Sequence, residues 1–173
     1  MIMERGHAIL LPVSPWFIAG SLATSLLVSM SLGLTQALWL PDLLAVCIFF
    51  WGIHQPRRVS MGVAFFLGLL VDVHQTSLMG QHALSYVILS YCAILMHRRL
   101  LWFPIKEQML QIAPFFIFAE SIGLIIRLST GNDFPGWPIL LSPLLETLLW
   151  PVANFILLAP QRRAHDPDAH RPI

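Results

Sequence analysis

The chain has 173 residues, 57% of them hydrophobic and only 11% charged, and its mean hydropathy is +0.73. A soluble domain is about a quarter charged, so this deficit excludes an ordinary soluble enzyme, and the apolar content excludes a disordered chain. A net charge of +1 supplies no basic field for nucleic acid. A small multi-pass membrane protein fits, and at about 20 residues per span the length admits about five or six helices.

The expected fold is all-α: one transmembrane bundle over residues 1–160 and a polar cytoplasmic tail over 161–173. After a broken apolar lead, Ala8–Pro15, the first span is expected at about Trp16–Leu34. It is not a cleaved signal, because no A-x-A site follows and the chain leads into more membrane. Ser21, Ser25, Ser29 and Gly33 recur every fourth residue along it, a spacing that lets helices approach closely, within the chain or toward a partner. The second span, about Trp39–Ile53, and the third, about Val59–Val73, are short.

Between them lies the tight loop His54-Gln55-Pro56-Arg57-Arg58, where proline stops the helix and the arginines sit at headgroup depth. Burying those arginines in a re-entrant pair costs about 2.5–3.5 kcal/mol each, which favours six spans over five. Gly62 and Gly68 suggest that the third span is crowded at the bundle centre, and short loops make spans two to four an antiparallel unit. The remaining spans are expected at about Leu78–Met96, Met109–Ile126 and Pro138–Ala159.

With both termini inside, nine of the ten basic residues face the cytoplasm and only Arg127 does not. Trp39, Trp51, Trp102 and Trp137 fall at span ends, where an amphipathic ring prefers the headgroup level. Cys47 and Cys92 lie in apolar runs without CxxC spacing and read as packing residues.

Every ionisable group in hydrocarbon needs a reason. Asp72, Glu120, Glu146 and Arg127 all map to the outer half of the bilayer, with His74, Gln75, Gln81 and His82 at the same level. They read as interhelical hydrogen bonding, with Arg127 as the available cation, or as an outward polar cavity or docking face. No nucleophile elbow, zinc-protease helix, phosphate-binding loop or S-x-x-K motif is present, so no catalytic residue, metal site or cofactor is expected. His74 and His82 are eight apart, too far for a sequence-adjacent ligand pair without a third donor.

The stretch Trp51-Gly52-Ile53-His54-Gln55-Pro56-Arg57-Arg58-Val59, then Gly62, Phe65, Gly68, Asp72 and Leu78-Met79-Gly80-Gln81-His82-Ala83-Leu84, resembles the rod shape-determining protein MreD family. Pro41-Asp42 before the second span and Trp150-Pro151 in the sixth support the likeness. The outer turn departs from it, with His74-Gln75-Thr76-Ser77 where the family often has glycine. The resemblance implies a non-enzymatic inner-membrane subunit of the cell-wall elongation machinery. Its implied partners are an MreC-like single-span periplasmic protein and, through it, an actin-like filament, a glycosyltransferase and a transpeptidase. It also implies a bundle similar to the substrate-binding subunits of energy-coupling-factor transporters, which keeps a small-solute binding or transport subunit as the alternative. The motif matches that carry over are Pro56, Arg57, Arg58, Gly68, Asp72 and Gly80.

Overall fold

The computed structural model describes residues 13–33 and 39–161. Among them the chain forms six α-helices and no strand: α1 (Pro15–Gly33), α2 (Leu43–His54), α3 (Met61–His74), α4 (Gln81–Leu100), α5 (Ile105–Ser129) and α6 (Leu141–Leu158). A 3₁₀ turn, Trp137–Leu140, leads into α6. The stretches α1, α5 and 137–161 are each long and apolar enough to cross a membrane, whereas α2 and α3 are shorter apolar helices. The amino-terminal lead and most of the tail, with the basic residues they carry, lie outside the described residues.

Helix ends follow local chemistry more than hydropathy. The second helix starts four residues later than its apolar run, because Asp42 caps it: the carboxylate accepts from the backbone N–H groups of Leu44 and Ala45 at 3.0 and 3.3 Å. The third starts after Ser60 and ends at His74, so His74 closes a helix and does not sit in the loop. The fifth extends beyond the expected span at both ends, from Ile105 after Pro104 to Ser129.

The centre of the bundle is α2. All its residues but Leu43, Cys47 and His54 are buried, as expected of a helix that is apolar all round. Phe49 lies 5.3 Å from Phe116 and 5.8 Å from Trp150 between ring centroids, and Phe50 lies 5.8 Å from Trp150. The two buried indoles satisfy their N–H groups inside this apolar core: Trp51 donates to Ser21 Oγ and Trp150 to Gln108 Oε1, each at 2.9 Å.

This corrects the expectation that the third span is central. Helix α3 packs chiefly on α4 and buries only Ala64, Gly68, Val71 and Asp72. Helix α4 also packs on α2 and on α5. Gly62 meets nothing closer than Ser60 Oγ, 3.7 Å from an added Cβ, so it marks no crowding. The glycine at the centre is Gly52, whose added Cβ falls 2.9 Å from Ala93 Cβ of α4. Gly68 does mark a close approach: an added Cβ falls 2.4 Å from Ala83 Cα and 2.6 Å from Ala83 N.

Candidate functional site

Helices α1, α3 and α5 end, and α2, α4 and α6 begin, at one end of the bundle. With only 12 residues, α2 is about 18 Å long, against about 37 Å for the 25 residues of α5. The shortfall leaves a cavity of about 800 Å³ at this end, among whose lining residues are Asp42, His82, Tyr86, Glu120, Arg127 and Glu146.

Asp42 organises one wall. Its carboxylate caps α2, accepts a hydrogen bond from Ser29 Oγ of α1 at 2.9 Å, and accepts another from the Tyr86 hydroxyl of α4. Ser29 Oγ in turn accepts from Leu44 N at 3.1 Å. The backbone N–H of Asp42 donates to Glu146 Oε1 of α6 at 3.1 Å, and Ser142 Oγ lies 3.0 Å from both Glu146 Oε1 and Leu40 O. One short segment, Leu40–Asp42, therefore ties the ends of α1, α4 and α6 to the start of α2.

The other wall is the α3–α4 turn, held by Asp72. Gly80 occupies the N-cap position of α4 with φ +104°, a left-handed conformation that favours glycine, and has no side chain with which to cap. Asp72 supplies that cap from the preceding helix. It accepts from Gly80 N at 2.8 Å, His82 N at 2.9 Å, Ala83 N at 3.3 Å, Ser77 Oγ at 2.9 Å and His82 Nδ1 at 2.8 Å. Gly68, one helical turn before Asp72, allows α3 to approach α4 closely enough for this reach.

The structure thus separates residues that the sequence grouped together. Glu120, Glu146 and Arg127 line the cavity, while the Asp72 side chain is fully buried and engaged by α4. The expected partnership of Asp72 with Arg127 does not form: the one ion pair among the described residues is Asp72–His82, because the start of α4 lies next to Asp72.

The motif residues also divide. Gly68, Asp72 and Gly80 belong to the α3–α4 junction, whereas Pro56, Arg57 and Arg58 form the turn at the opposite end, where Arg58 donates to Val13 O at 2.6 Å and Arg57 is exposed. In the α1 stripe, Ser21 and Ser29 bond to α2 and its cap, and Ser25 is buried. Gly33 lies against the Gln75 side chain, 2.8 Å from an added Cβ. The stripe serves contacts inside the chain.

Sequence reasoning missed Asp42 and Tyr86 as site residues. Pro41-Asp42 ahead of an apolar run is an N-cap signature, but nothing in spacing announces that the same carboxylate reaches Ser29 and Tyr86. Chemically, the cavity gathers three carboxylates opposite one guanidinium and favours cationic or hydrogen-bonding groups. Among the described residues no group of three or more His, Cys, Asp or Glu is placed to hold a metal ion.

Comparison with known proteins places this architecture. The family model of the rod shape-determining protein MreD matches residues 8–159. The rod shape-determining protein MreD of Haemophilus influenzae is 29% identical over 127 residues, covering 71% of this chain and 75% of the relative. No solved structure matches. With a family match across nearly the whole helical bundle and helices suited to a membrane, the chain belongs to the MreD family of rod shape-determining membrane proteins.

Proposed function

We propose that this protein is a non-enzymatic, six-span subunit of the inner membrane that holds an MreC-like single-span protein within the cell-wall elongation machinery. The family match over residues 8–159 carries this reading. In it both termini are cytoplasmic, the Pro56-Arg57-Arg58 turn lies at the cytoplasmic headgroups, and the end bearing Asp42, Asp72 and Glu146 faces the periplasm. The nine-to-one distribution of basic residues supports that orientation. The partner meets the outer end, where the α3–α4 turn is braced by a buried carboxylate and presents a fixed surface.

Co-purification tests the assignment: the tagged full-length chain, extracted in mild detergent, is expected to bring down the MreC-like protein at a fixed stoichiometry. Recovery without any such protein from cells that contain it would overturn the reading. Orientation is tested separately. Single cysteines at His54 and Asn132 are expected to label from opposite sides of the membrane, and labelling of both from one side refutes the topology.

A second reading, a small-solute binding or transport subunit, is favoured by one observation: the cavity of about 800 Å³ has a size typical of ligand sites. A small molecule retained stoichiometrically through purification, in place of a protein partner, is the outcome that selects it.

A further inference from the structure

At the end of the bundle opposite the cavity, α4 changes character along one exposed face. Tyr91, Leu95, Arg98 with Arg99, and Trp102 follow one another at three- and four-residue spacing, so they form a single stripe. The helical hydrogen-bond pattern continues past Leu100, with Leu101 N donating to His97 O and Trp102 N to Arg99 O, which keeps Trp102 in line. Tyr91, Leu95 and Trp102 are 49%, 58% and 89% exposed, large apolar surfaces that only lipid or a partner would cover.

A shallow, largely apolar surface groove of about 420 Å³ lies at this end of the stripe, lined among the described residues by Arg98, Arg99, Trp102 and Phe103. Neither guanidinium has a hydrogen bond or ion pair among the described residues. Two guanidiniums with no partner among the described residues, on residues that share an apolar groove with Trp102 and Phe103, call for an anion that carries an apolar body. The stripe supplies a lane for that body, about 11 Å from Tyr91 to Arg98.

We infer that this groove is a binding site for one anionic phospholipid, its phosphate between Arg98 and Arg99, its glycerol region against Trp102 and Phe103, and an acyl chain along Leu95 and Tyr91. Guanidiniums bind phosphate oxygens in a bidentate manner, and an indole lies well at the boundary between headgroup and acyl chain. A free phosphate ion would leave the aromatic side chains and the stripe unused. The inference rests on membrane embedding and not on the partner reading, so its failure leaves the family placement and the partner reading standing.

Native mass spectrometry of the full-length chain released from micelles tests it. Dioleoylphosphatidylglycerol is compared with dioleoylphosphatidylcholine, which has the same chains and no net charge. One phosphatidylglycerol is expected to be retained in preference to phosphatidylcholine, with the preference falling about tenfold or more in the Arg98→Gln/Arg99→Gln double variant. Arg57→Gln, exposed at the same end but outside the groove, is expected to leave it unchanged. Millimolar glycerol 3-phosphate should not displace the lipid. All substituted residues are exposed, and unchanged helical circular dichroism verifies the fold. The proposal is overturned if the double variant keeps the preference, if Arg57→Gln loses it equally, or if glycerol phosphate competes fully.

Discussion

Removing the Asp72 carboxylate tests the most heavily bonded polar group in the described fold. Asp72→Ala deletes an acceptor for five donors, three of them backbone N–H groups at the start of α4. An ordinary exposed N-cap is worth about 1 kcal/mol, because water takes over when it is lost. Here the side chain is fully buried, so the amides of Gly80 and His82, bonded at 2.8 and 2.9 Å, are left without a partner. Each unmet buried donor costs about 1–3 kcal/mol, and relaxation of the turn recovers part of the sum, so a loss of about 3 kcal/mol is expected.

For a chain of this size that corresponds to a melting shift of about 6–12 °C. Asp72→Asn is intermediate. If its oxygen serves Ser77 and His82, its NH₂ must face the N–H groups of Gly80 and Ala83. The assay is fluorescence-monitored thermal unfolding in micelles, with amide hydrogen exchange at His82 and Ala83 as a local readout. An Asp72→Ala variant that melts within about 1 °C of the parent, with unchanged exchange at those amides, refutes the capping argument.

Three further contrasts follow from the same geometry. Gly68→Ala drives a Cβ into the backbone of Ala83 and is expected to destabilise by about 1–3 kcal/mol or more, whereas Gly62→Ala on the same helix meets only an ordinary contact with Ser60 Oγ and gains up to about 1 kcal/mol of helix propensity; thermal unfolding decides the signs. Glu146→Ala strands the Asp42 N–H and should cost about 1–3 kcal/mol, while Glu120→Gln, at a side chain with no hydrogen bond among the described residues, should fold and melt like the parent. Tyr86→Phe removes the hydroxyl donor to Asp42 and is expected to cost about 1 kcal/mol, read by the same melting assay.

The sequence by itself determined the environment, the helical class and the approximate position of every helix, because a run of apolar residues in a bilayer has one backbone solution that satisfies its own hydrogen bonds. It also marked Asp72, Glu120 and Glu146 as residues needing an explanation, since an ionisable group in an apolar run is costly wherever it points. The resemblance to the MreD family carried Gly68, Asp72 and Gly80 into view, but not the reason they go together.

Tertiary structure decided neighbours and centrality. Helix α2, apolar around its circumference up to the terminal His54, has no polar face to indicate direction, and only packing puts it at the centre while α3 moves to the side. The partners of Asp42 lie at residues 29, 86 and 146, separations that no local pattern encodes. Asp72 is the converse case: its donors lie within eleven residues, yet its choice of His82 over Arg127 depends on how closely Gly68 lets α4 approach. Periodicity and charge act along one helix and are legible in order, whereas a carboxylate takes whichever donors the fold brings to it.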